Sequence, residues 1–231
     1  MPGHCGQLLR SVIVFISQQQ RMACEENLIP SHGGYRKLKS FRVAQLAYDV
    51  TVRFSDRYMD KRSRTHDQMV QAARSGVQNI AEGSQVSGTS KKMEIKLTNV
   101  ARASLEELRL DYEDFLRQRG LSQWPPDAAA LIRFKARRCT TLEEVREWVD
   151  DEKRRGRTNT DEQGQDGSVN VRECPHIPVS AEMVANAALS LLNIVCYLLD
   201  RQIAAQEKAL VEEGGFTERL YHVRMRRRSR S

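Results

Sequence analysis

The stretch Thr65 to Gly83, THDQMVQAARSGVQNIAEG, reads as a whole helix with both ends marked. Thr65 and Gln68 stand at capping-box spacing, and Gly83 stands where a helix closes on a left-handed residue. Between those ends Met69, Ala73, Val77 and Ile80 recur at the 3.6-residue period and predict one buried stripe. The other side carries Arg74, Ser75, Gln78, Asn79 and Glu82. A solvated face ordinarily carries long Lys and Glu chains. This one carries small amides, a hydroxyl and Gly76, which weakens a helix unless something packs close to it. Two readings stand: an ordinary wet face, or a helix contacted on both sides, by its own bundle and by another subunit. The small polar side chains favour the second.

On the N-terminal side, the pattern predicts a helix from about Leu38 to Met59, with Val43, Ala47, Val50 and Phe54 on one stripe and Leu46 and Tyr58 beside it. Its polar side is basic: between Arg36 and Arg64, Arg36, Lys37, Lys39, Arg42, Arg53, Arg57, Lys61, Arg62 and Arg64 stand against Asp49, Asp56 and Asp60. Arg53, Arg57 and Lys61 repeat at every fourth position. Either this is a solvated flank, or it is a phosphate-contacting surface, where each neutralised phosphate releases counterions. On the C-terminal side, SQVSGTS predicts a tight turn ending in Thr89 and Ser90 as N-caps. A third helix then runs from Lys91 to Arg119 over about 40 Å. Ala101, Leu105, Leu108, Tyr112 and Phe115 keep its apolar stripe, and Gly120 stops it. Lys91, Lys92 and Lys96 crowd its first turns, where the helix dipole opposes them, which hints at an anion nearby.

Residues 122–179 change character. Trp124, Pro125 and Pro126 break the helix, and two short helices are predicted, Asp127 to Arg138 and Leu142 to Arg155. A Thr141 and Glu144 capping box opens the second, and Leu142, Val145, Trp148 and Val149 form its apolar side. Residues 156–178 are polar without period and predict a flexible linker. From Ser180 to Glu213 a fourth long helix has Val184, Ala188, Leu191, Val195 and Leu198 as its stripe, with Gly214 and Gly215 at its end. Its most apolar stretch is interrupted by Asn193 and bounded by Asn186 and Asp200, so it is expected in the core rather than across a membrane.

Residues 216–231 form a basic tail with Arg224, Arg226, Arg227, Arg228 and Arg230. Such density predicts disorder and a hold on nucleic-acid backbone, with Tyr221 and His222 placed to stack on bases. Residues 1–37 read as a loose leader. Their apolar run from Leu8 to Ile16 is too short to span a bilayer, and Met22 is an alternative start.

The 231 residues hold 37 Lys and Arg against 30 Asp and Glu, a formal +7 that permits an anionic partner. Aromatic residues at 6%, with 13 Gly and 6 Pro, suit a helical protein better than a β-sandwich or barrel. The 5 Cys are scattered and lack CxxC spacing, so neither a disulfide framework nor zinc is indicated, and a reducing, cytoplasmic setting is expected. No nucleotide-binding, HExxH or GxSxG motif is present. Glu82, Glu106, Asp111 and Glu113 imitate an acidic metal site, but on long helices they are expected to pair with Arg74, Arg102 and Arg109. No catalysis, metal or cofactor is expected.

Three segments carry a family resemblance: SFRVAQLAYDV, then RSGVQNIAEG, then SKKMEIKLTNVARASLEELRLDYEDFL. Together they resemble the bacterial four-helix-bundle family found as intervening-sequence proteins within large-subunit ribosomal RNA genes and as the accessory variability protein of diversity-generating retroelements. Asn79 to Gly83, preceded by Ser75, is the most specific mark. Residues 180–221 resemble the suffix that extends some members. Val77 stands where members often have Pro, and residues 122–179 form an insertion. The resemblance implies an antiparallel four-helix bundle, 38–121 plus 180–215, that assembles as a homopentameric ring. It further implies binding to structured RNA, or DNA, together with a reverse transcriptase or another element-encoded partner. Arg74, Ser75, Gln78, Asn79, Glu82 and Gly83 are its motif and candidate subunit interface.

Overall fold

The structure, a computed structural model, describes residues 29, 31–162 and 179–229. All its regular elements among these residues are helical. A 3-10 turn at Tyr35–Lys37 precedes α1 (Lys39–Tyr58), α2 (Arg64–Val86), α3 (Lys91–Gln118), α4 (Ala129–Arg137), α5 (Leu142–Glu162), α6 (Val179–Glu213) and α7 (Phe216–Arg228). The chain is therefore all-α. Helices α1 to α6 belong to one compact unit, His32–Gly215, and α7 to another, so each is described by itself.

Four helices share one bundle-like core. α1 packs on α2 and α6, and α3 packs on the same two. The expected stripes supply the interior: Val50 and Phe54 from α1, Met69 and Ile80 from α2, Leu105, Leu108 and Tyr112 from α3, all nearly inaccessible to solvent. Burying a Leu or Phe side chain contributes about 1.5–3 kcal/mol each, so these stripes dominate the stability of the unit. Phe54 stacks against Tyr58, Tyr112 and Phe115. The Tyr112 hydroxyl donates to Thr51 Oγ1 at 3.1 Å, and Thr51 passes its own proton to the Ala47 carbonyl at 2.7 Å. That chain of bonds leaves the buried phenol satisfied.

Polar contacts fix the helix directions. Ser40, early in α1, donates to Gln202, late in α6, at 2.8 Å. At one end of α3, Lys91 Nζ reaches the Ala209 carbonyl and Glu213 of α6; just beyond its other end, the Trp124 backbone N–H donates to Asn186 near the start of α6. α6 thus runs opposite to both α1 and α3.

α6 is buried on nearly every side from Ala185 to Leu192, not along one stripe. Its neighbours explain this: α1 and α3 cover it from one direction, and α4 and α5 from another. The insertion therefore builds part of the core. Phe134 and Trp148 meet at 4.8 Å between centroids, and Arg133 grips the buried Glu152 through two bonds. α6 also holds the stretch apolar enough in composition to cross a membrane, with 61% of that window buried in the fold, which accounts for its apolarity.

Several boundaries differ from the sequence expectation. α2 is capped by Ser63, whose Oγ accepts from Thr65 N–H at 3.3 Å, so no Thr65–Gln68 capping box forms. α2 also continues through Gly83 to Val86, because Gly83 serves close packing instead of a left-handed turn. A Cβ there would sit 3.3 Å from the Glu94 carbonyl and 3.4 Å from Leu97 Cβ. α5 runs on to Glu162, through residues expected in the linker; the rest of that linker, 163–178, lies outside the described residues, as do residues 1–28 of the leader.

Other signals hold. Ser90 caps α3, and the Thr141–Glu144 box closes reciprocally at 3.3 Å in both directions. The backbone N–H groups of Thr140 and Thr141, both donating to the Glu144 carboxylate, hold it below its usual range. Gly120, at φ 63°, ends α3 in a Schellman motif, with Leu121 N–H donating to the Leu116 carbonyl.

Burial pushes the Cys196 thiol of α6 up to about 11, with Glu106 adding to the shift. A raised pKa means the folded state holds this proton more tightly than the unfolded chain. The resulting stability is complete below the unfolded value near pH 8.5 and fades as pH rises towards about 11. Urea midpoints should therefore drop across this window, less steeply in Cys196→Val; identical slopes in the two proteins would contradict the assignment.

Candidate nucleic-acid interface

The cations from Lys39 to Arg64 are exposed and unpaired. Arg42, Arg53 and Arg57 project from α1, and Lys61, Arg62 and Arg64 follow in the turn and at the start of α2. No acidic partner is recorded for any of them, nor for Lys39, among the described residues. The nearby acids are engaged otherwise: Asp56 accepts from His66 at 3.3 Å, and Asp60 accepts from the Arg62 backbone N–H at 2.9 Å. Elsewhere arginines are neutralised locally, as in Arg117 with Asp114 at 2.6 Å and Arg137 with Asp151 at 2.9 Å.

The lysines opening α3 divide. Lys92 and Lys96 are exposed, whereas Lys91 is only 11% exposed and held by Glu213 at 2.5 Å. Its ammonium also binds the Ala209 carbonyl, at the negative end of the α6 dipole. The anion that the lysine cluster hinted at is, for Lys91, the chain's own. Lys91→Gln should lower stability by about 1 kcal/mol and leave RNA affinity unchanged. A drop in affinity without a drop in thermal midpoint would return Lys91 to the binding surface.

The tail residues Arg224, Arg226, Arg227 and Arg228 are exposed on α7, a helix rather than the expected disordered segment. Glu218 in its first turn and three arginines in its last complement the helix dipole at both ends. Arg230 lies outside the described residues, and α7 is not placed relative to the α1 face.

The motif on α2 splits in two. Asn79 Nδ2 donates to the Ser75 carbonyl and hydroxyl, and the Ser75 hydroxyl meets Ser104 of α3 at 3.0 Å. Ser75 and Asn79 therefore tie α2 to α3, and Gly83 lets the two helices approach. Arg74, Gln78 and Glu82 face outward. Of the expected acid–base pairs, Arg109 reaches Glu106 at 2.8 Å and Glu113 at 4.0 Å, but Arg102 pairs with Asp200 of α6. Among the described residues Asp111 has no cation within ion-pair distance; burial, then Glu107 and Asp114, raises its carboxyl pKa.

Arg42 and Arg53 also line a groove of about 1200 Å³ between α1 and α6, walled by the α4–α5 connection. Val43, Leu46, Ile194 and Leu198 form its apolar floor; Lys39 and Arg138 join its rim. Sequence reasoning counted Lys39 in the basic face but missed Arg138 and this groove, because its walls come from segments far apart in the chain. Among the described residues no group of three or more His, Cys, Asp or Glu is placed to hold a metal ion. No protein-family model matches the chain, and no match is found among curated proteins or solved structures, so the family resemblance rests on the quoted residues.

Proposed function

We propose that this protein is a non-enzymatic, cytoplasmic RNA-binding accessory protein of a retroelement, group II intron or rRNA intervening sequence. In this reading α1, α2, α3 and α6 form an antiparallel four-helix bundle that assembles as a homopentameric ring. The ring presents a basic scaffold to structured RNA and to a reverse transcriptase or ribonucleoprotein partner. The observation that carries it is the uncompensated cationic surface of Arg53, Arg57, Lys61, Arg62 and Arg64. Unpaired cations bind a phosphate backbone without first breaking ion pairs, and each contact adds a counterion-release gain. Repetition around a ring multiplies weak contacts.

Support for self-association comes from the outward Arg74, Gln78 and Glu82 and from apolar side chains exposed on α3, Val100 at 41% and Leu110 at 56%. Light scattering should give five times the 26.5 kDa chain mass; a monomer at micromolar concentration overturns the ring. The binding test is titration of a folded RNA with the full chain between about 50 and 200 mM salt, where affinity should fall steeply. Binding indifferent to salt would refute it. The apolar floor of the α1–α6 groove favours a second reading, a scaffold that docks a protein partner and binds nucleic acid incidentally.

A further inference from the structure

The groove between α1 and α6 is shaped for neither a small ligand nor a stack of nucleobases. Its volume of about 1200 Å³ exceeds the usual small-molecule pocket, roughly 300–1,000 Å³. Its floor is mainly aliphatic; of the two aromatic residues that line it Phe134 is buried and only Tyr48 is partly open, which leaves few ring faces for nucleobases to stack on. Aliphatic side chains at helical spacing on two flanking helices instead leave the furrow that the ridge of a third helix fills.

The rim supplies the charge pattern of the occupant. Among the described residues Lys39, Arg42, Arg53 and Arg138 form no ion pair, and Asp56 is held by His66. Two acids remain, Asp49 on α1 and Glu143 on α5; burial raises the Asp49 carboxyl pKa, and the nearby Glu143 adds to the shift. Arg42 precedes Asp49 by about 10 Å and Arg53 follows it by about 6 Å along α1. The wall therefore reads positive, negative, positive.

We propose that this groove docks an amphipathic helix of a partner protein that is acidic at both ends and carries one basic residue at its centre. Its apolar stripe lies on Val43, Leu46 and Ile194. Its carboxylates meet Lys39 and Arg42 at one end and Arg53 at the other, with Arg138 on the wall formed by the α4–α5 connection, and its central cation sits between Asp49 and Glu143. The groove shares Arg42 and Arg53 with the RNA-binding surface, and Val43, Leu46 and Ile194 of its floor belong to the groove alone.

The test uses the full chain and a fluorescein-labelled synthetic helix of about 14 residues, which spans the roughly 20 Å from Lys39 to Arg53. It carries a leucine stripe, glutamates at both ends and a central lysine; the charge-inverted peptide is the control. Anisotropy should show the glutamate-ended peptide binding at least about tenfold more tightly than its inverse. Ile194→Glu and Arg42→Glu, both exposed positions, should each weaken it by about tenfold or more with helicity and melting unchanged. Ile194→Glu should leave RNA titration untouched, so failure of either reading is seen separately. Equal binding of both peptides, no saturation, or full binding by Ile194→Glu overturns the proposal. So does a single-stranded RNA oligomer whose binding Ile194→Glu abolishes, since it assigns the groove to nucleic acid.

Discussion

Replacing Arg53, Arg57 and Lys61 together with glutamine should cut the affinity for structured RNA at about 50 mM salt by on the order of a hundredfold to a thousandfold. Each phosphate contact contributes about 0.7–0.9 to the slope of log affinity against log salt, so three lost contacts flatten that slope by about 2–3. The three side chains are exposed and make no ion pairs among the described residues, so melting should be unchanged. A matched control separates a local surface from bulk charge. Arg117, Arg137 and Arg154 are paired with Asp114, Asp151 and Asp151. Their triple glutamine variant also lowers the net charge from +7 to +4, that is 7 − 3. If the control loses as much affinity as the α1 variant, attraction is a property of net charge and the α1 face is not a binding surface.

Periodicity carried the helices that have one wet side. Val50, Phe54, Leu105, Leu108 and Tyr112 were legible as core because amphipathic helices declare their buried face. α6 was legible as a helix but not as one enclosed on all sides, since the covering helices α4 and α5 lie in an insertion with no pattern linking it to α6. Glycine was ambiguous for a physical reason. It serves left-handed turns and close approaches alike, and the atoms that decide for Gly83, the Glu94 carbonyl and Leu97 Cβ, belong to the next helix.

The site was legible as a composition and not as a surface. The arginines of α1 could be counted, but their freedom from acidic partners is a tertiary fact. Lys91 shows the opposite case, a cation that sequence groups with Lys92 and structure gives to Glu213, more than a hundred positions away. The groove rim likewise combines Arg42 with Arg138, which ends α4 at φ 52°. Local sequence contains no signal for that meeting.

Gly76→Ala should destabilise the protein although alanine is the better helix former. The gain in helix propensity is about 1 kcal/mol. Against it, a Cβ at Gly76 would lie 2.6 Å from both Cγ and Cδ2 of Leu105, a side chain with no exposed surface. Leu105 cannot swing aside within a packed core, and overpacking of this kind costs about 1–3 kcal/mol, more where the backbone must part. Parting α2 from α3 would also stretch the Ser75–Ser104 bond at 3.0 Å, so the net loss should reach about 1–3 kcal/mol. Leu105→Ala alone should cost about 2–5 kcal/mol through the cavity it leaves. In the double variant the new methyl occupies part of that cavity, and the combined loss should be smaller than the sum by about 1–3 kcal/mol. Urea denaturation of the four proteins closes the cycle. Strict additivity would mean that Gly76 and Leu105 do not touch, and that the glycine was kept for some purpose other than the close approach of α2 to α3.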